Sequence, residues 1–199
     1  MTRRGYREGG VGPIGTWRHS GAADHAEPLA NDELRQLYEQ DQDDRRTGLP
    51  WPETLERDRV RRRRVGELLA AGALGRPWEP AHPEDCYHAA MVLQHGESSD
   101  DFLRAHELAG RSVALGARKA RWLAAATYDR WLMSQGRPQK YGTQAHRLGH
   151  DRPWELWPID PATTDAERAE WEVKPLAELR PGDSSWLGRQ PGPPGPDKA

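Results

Sequence analysis

The chain has 199 residues, a single cysteine, and 29 Lys and Arg against 31 Asp and Glu, for a formal net charge of -2. That balance excludes a general binder of nucleic acid or of an anionic membrane surface, because either role needs a basic surplus or a one-sided basic face. The lone Cys86 rules out an intramolecular disulfide and a cysteine-based zinc knuckle, and it fits a reducing, cytoplasmic setting.

Residues 1–30 mix Gly with isolated polar residues and contain no apolar run. They predict a flexible leader, with neither a signal peptide nor a membrane span. Residues 31–187 read as one α-helical domain. The tail 188–199, "GRQPGPPGPDKA", is too rich in Pro and Gly to support helix or sheet and is expected to be disordered.

The first helix is expected to start at Asn31 or Asp32 and to run through "ELRQLYEQDQDDRR", with Leu34, Leu37, Tyr38 and Gln42 near one stripe. A second, from about Pro52 to Gly72, places Leu55, Val65, Leu68 and Leu69 on its core side and Arg61 to Arg64 in its middle. A third follows Pro83, with Glu84 and Asp85 at its positive end, and runs to Gly96. A fourth opens at Ser98 or Ser99 and stops at Gly116, and a fifth, "RKARWLAAATYDRWLMSQG", stops at Gly136. Ala105, Ala109, Ala124, Ala125 and Ala126 let these last two approach closely as a helical hairpin, while Phe102, Leu108, Trp122, Leu123 and Leu132 fill the seam. Thr164-Asp-Ala-Glu167 has the capping-box pattern of one short C-terminal helix. Strand signals are nearly absent, so the predicted fold is a compact all-α bundle of about five main helices with an irregular loop.

Several polar residues do not fit the apolar faces. His88 and His95 are seven apart and share one sector of the third helix with Asp85. His95 follows Gln94 at the negative end of that helix, where the dipole favours a charged imidazole. Asp129 and Arg130 lie among Trp122, Tyr128 and Trp131, where a charge needs a partner. The acidic "DQDDR" of residues 41–45 faces the arginine block. A surface ion-pair network is one reading of these two runs; delivery of Asp41, Gln42 and Arg45 inward is the other. His146 and His150 have metal-ligand spacing, but Gly142, Gly149 and Pro153 work against a helix there.

"GRPQKYGTQ", residues 136–144, leaves the fifth helix. Gly136 and Pro138 suffice to stop and turn the chain, so Gln139, Tyr141, Thr143 and Gln144 are surplus to turning. Such a set either clamps neighbouring helix ends or binds a polar ligand.

"DQDDR", "HAAMVLQHG", "DRWLMSQGRPQKYGTQ" and "PID" with the following Arg168 resemble the domain of unknown function 6624 family, a bacterial family, over roughly Leu34 to Leu179. The resemblance implies that Asp41, Gln42, Arg45, His95, Asp129, Arg130, Gly136, Gln139, Tyr141, Gly142, Thr143 and Gln144 belong together, and it implies no activity. From the residues, the expectation is an enzyme that needs neither metal nor cofactor and acts on a small-molecule or peptide-like substrate. Its catalytic residues would be His95, Asp129 and Tyr141, with Asp129 orienting His95. Arg45, Gln42, Gln94, Arg130, Gln139, Thr143 and Gln144 would bind substrate, the arginines taking an anionic group. The Arg, Gly, Pro and Trp content associates the chain with a high-GC bacterium and a tailoring step in specialised metabolism. The alternative is a non-catalytic helical module for a peptide or protein partner, and a metalloprotein using His88, His95 and a carboxylate is a third reading.

Overall fold

A computed structural model describes residues 30–72, 75–77, 79–147 and 152–180. The expected leader and tail, and His150, lie outside the described residues. Six helices are described: α1 (Asp32–Thr47), α2 (Trp51–Ala70), α3 (Pro83–Leu93), α4 (Ser99–Ala114), α5 (Ala120–Ser134) and α6 (Asp165–Glu170). Two antiparallel two-residue pairs accompany them, β1 (Gly75–Arg76) with β2 (Glu79–Pro80), and β3 (Ala145–His146) with β4 (Glu155–Leu156). The mostly α-helical class is as expected. Among the described residues no helix is long and apolar enough to cross a membrane.

The helix ends follow local chemistry. The Asn31 side chain accepts the amide of Leu34 at α1, and Gly48 closes α1 in the left-handed conformation. Ser98 with Asp101 and Thr164 with Glu167 form reciprocal capping boxes on α4 and α6, each side-chain cap contributing about 1 kcal/mol. At α3 the cap is His82, whose Nδ1 accepts the Glu84 amide. Helix α5 begins at Ala120, two residues later than its sequence pattern predicts, because 117–119 form a turn.

Helices α3, α4 and α5 pack on one another, with α1 and α2 laid against α3. Ala89, Ala90, Ala105, Ala109 and Ala124 let the axes close up, while Leu34, Val65, Leu69, Leu108 and Leu123 fill the space between. Fully burying one such leucine is worth about 1.5–3 kcal/mol. A second apolar cluster, Ala125, Tyr141, Val173 and Leu179, joins the chain after α5 to the bundle. Leu55 and Phe102, placed in the core from sequence, are only half-buried.

Candidate functional site

The buried stripe of α2 is Thr54, Asp58, Arg61, Val65 and Leu68 with Leu69, a helical period in which charged residues occupy the middle turns. On α1 the stripe that starts with Leu34 continues as Asp41, Asp44 and Arg45. Where these stripes meet, Asp41, Asp44 and Arg45 of the acidic run and Arg61 of the basic run form a buried chain of ion pairs, while Arg62 and Arg64 pair with glutamates of the surface. His95 Nδ1 lies 2.9 Å from Asp41 Oδ1, and Arg45 Nη1 donates to the same carboxylate oxygen at 2.9 Å. Arg45 also grips Asp58 with both Nη atoms, at 3.3 and 2.8 Å. Arg61 joins Asp58 to Asp44, each at 2.6 Å, and Arg57 meets Asp44 at 2.8 Å near the surface. Asp41 is 0% exposed and Asp58 1%. Desolvating so many charges is expensive, and the hydrogen-bonded alternation of sign offsets it.

Asp41 is further fixed by Gln42, whose Nε2 donates to Oδ2 at 2.8 Å. Burial acts to raise the Asp41 carboxyl, but His95, Arg45 and Gln42 hold it below the usual carboxylate range. Burial pushes the His95 imidazole below its ordinary value, with Asp41 pulling upward and Arg45 and Arg130 pushing further down. The expected pairing of His95 with Asp129 is therefore corrected: the carboxylate on His95 Nδ1 is that of Asp41, brought from α1.

Asp129 has a different task. Its two oxygens accept the amides of Lys140, Tyr141, Gly142 and Thr143 and the Thr143 hydroxyl, at 2.7–3.2 Å. Burial raises this carboxyl while the loop amides draw it down. The loop is wound round a carboxylate, which is why "GRPQKYGTQ" needs more than a turn. Gln139, 0% exposed, donates to the carbonyls of Gln144 and Trp157 and accepts the Gln144 amide. Gln144 Nε2 donates to the Ala126 carbonyl and to Thr143 Oγ1. Arg168, 1% exposed, donates to the carbonyls of Tyr141 and Thr163. Gln139, Thr143 and Gln144, expected as substrate binders, serve here as a clamp. Tyr141 packs its ring against Tyr128 and Trp171, and burial pushes its phenol far up, first among several causes, so it is a poor proton carrier at neutral pH.

Arg130 bridges the two groups of residues. Nη1 donates to the Gln94 carbonyl at 2.6 Å and Nε to Gln144 Oε1 at 3.3 Å. Burial, and then the charge of Arg45, push this guanidinium down to about 10. Arg62 reaches across from α2 to the His95 carbonyl at 2.9 Å.

Asp85, His88 and His95 do share a sector, and all three face α1, but spread along it. Asp85 accepts the Asn31 amide, His88 stacks on Tyr38 with ring centroids 4.6 Å apart, and His95 meets Asp41. Burial pushes His88 down to about 4. Among the described residues no three His, Cys, Asp or Glu side chains come together as a metal site. Burial pushes the Cys86 thiol up to about 12, which makes it a packing group.

Two grooves border α2. One of about 350 Å³ is lined by Arg62, Leu93, Asp101, Arg104 and Glu107, and one of about 540 Å³ by Gln40, Asp44, Arg57, Val60 and Arg61. Neither is lined by His95, Asp129 or Tyr141. Asp44, Asp58 and Arg61 were missed as part of the site. Their signal in the sequence is the spacing Thr54, Asp58, Arg61, Val65, which keeps helical register through the charges.

Comparison with family models, with curated proteins and with solved structures found no match to this chain.

Proposed function

We propose that the chain is an acid–base enzyme in which His95 moves the proton and Asp41 orients and charges it, acting on a small-molecule or peptide-like substrate. The observation behind this reading is the 2.9 Å contact between His95 Nδ1 and Asp41 Oδ1 inside a buried, ordered set of charges. An ionised Asp41 accepts only, so Nδ1 carries the hydrogen and the lone pair of the neutral ring belongs to Nε2. A neutral imidazole at pH 7 is a base, and burial keeps His95 in that form. Gln42 and Arg45 fix the carboxylate from its other sides. A positioned base of this kind supplies about 10²–10⁴ in rate.

One observation favours the non-catalytic module instead: His95 is only 9% exposed, and the loop around Asp129 is satisfied from within. Nitrogen-15 NMR of the histidine rings, assigned with His95→Gln, separates the readings. The enzyme reading expects the Nδ1–H tautomer at neutral pH, and any turnover found in a substrate screen to vanish in folded His95→Gln. A protonated Nε2 in the neutral ring, or turnover that survives His95→Gln, overturns it.

A further inference from the structure

Arg130 is a half-buried cation with an unusual set of partners. Both acceptors it meets are neutral, the Gln94 carbonyl and the Gln144 side-chain oxygen. No carboxylate of the described residues lies within ion-pair distance of it, whereas Arg45, Arg57 and Arg61 each meet one or two aspartates. Its Nη2 donates to no described group and is not among the polar atoms sealed from solvent. The Phe102 ring lies 5.9 Å from the guanidinium carbon. Guanidinium and ring are thus placed where the planar fork is covered on one side and one donor edge remains for a ligand.

An anion at Nη2 supplies the charge partner that Arg130 lacks among its hydrogen-bond acceptors in the described residues.

We propose that Arg130 is the receptor for a carboxylate on the substrate, held by its Nη2 edge beside the His95–Asp41 pair. The flat guanidinium matches a flat carboxylate, and this contact would anchor the substrate while His95 acts on another atom. Its catalytic meaning rests on the acid–base reading above; the binding event does not, and it is read without turnover.

The test titrates sodium acetate, and separately inorganic phosphate, into the full chain at constant ionic strength set with chloride. The Arg130 Nε–H and His95 ring resonances report binding. Acetate is expected to shift both along a saturable curve in the wild type, with affinity at least tenfold weaker in Arg130→Gln. Should Arg130→Gln fail to fold, Arg130→Lys keeps the charge without the fork and is expected to weaken acetate severalfold. No saturable acetate response in the wild type, an unaltered one in the folded Arg130 variant, or tighter binding of phosphate than of acetate overturns the proposal. Acetate binding that persists alongside the wrong His95 tautomer would overturn the acid–base reading and leave the receptor standing.

Discussion

Nδ1 of His95 lies 2.9 Å from Oδ1 of Asp41, a residue 54 positions earlier on another helix. Because Asp41 also accepts from Arg45 and Gln42, one carboxylate holds three side chains in place. Replacing it in Asp41→Asn leaves Arg45 with a single aspartate in a buried setting. The expected loss is about 3 kcal/mol, the usual range for breaking one side of a buried pair, read as a lower urea midpoint with unchanged slope. The same variant should move the His95 titration to lower pH, since Asp41 is the group that pulls it upward.

Asp129→Asn tests the clamp. An amide offers one acceptor oxygen and turns an NH2 toward amides that need an acceptor. A cost of about 2–3 kcal/mol follows from hydrogen bonds to a charged group. Amide exchange at 140–143 should accelerate far more than in α4; equal acceleration everywhere would argue against a local clamp.

The Tyr141 hydroxyl donates to no described residue, and the ring makes the contacts. Tyr141→Phe is therefore expected within about 0.5 kcal/mol of wild type. This departs from a clamp that uses the phenol. Tyr141→Ala should cost about 3 kcal/mol or more through the lost ring, and thermal unfolding of the two variants measures the contrast.

His88 predicts an acid-sensitive fold. Its folded value of about 4 lies below the ordinary imidazole value of 6.5, so the unfolded chain binds more protons in between. Stability from this group is present above about 6.5 and is lost as pH falls through the window toward about 4. At about 1.4 kcal/mol per unit the full effect is on the order of 3 kcal/mol. Glu84, 3.7 Å from Nε2, opposes it, and Lys119 and Arg35 reinforce it. His88→Phe should flatten the pH dependence of urea unfolding between pH 7 and 4; an unchanged slope would place the acid sensitivity elsewhere.

Gly142 has φ +93°, and a Cβ there would stand 2.4 Å from Leu179 Cδ1. Gly142→Ala should cost about 2–3 kcal/mol from backbone strain and overpacking together, measured by thermal unfolding.

What the sequence determined by itself is local. Caps at Asn31, Ser98 and Thr164 and stops at Gly48 and Gly136 act within a turn or two of chain, so the helices they bound are legible without neighbours. The alanines of α4 and α5 announced a close hairpin because small side chains in register have few other uses. Tertiary structure alone decided the partners of the charges. An aspartate at a core position looks like a surface residue until a guanidinium arrives from another helix, as Arg45 of α1 does for Asp58, although the spacing Thr54, Asp58, Arg61, Val65 keeps the core period. Likewise Asp129 and Asp41 are equally good partners for His95 on paper. The choice fell to Asp41 because the loop after α5 encloses Asp129 with its own amides, while the α1–α3 contact brings Asp41 to the imidazole.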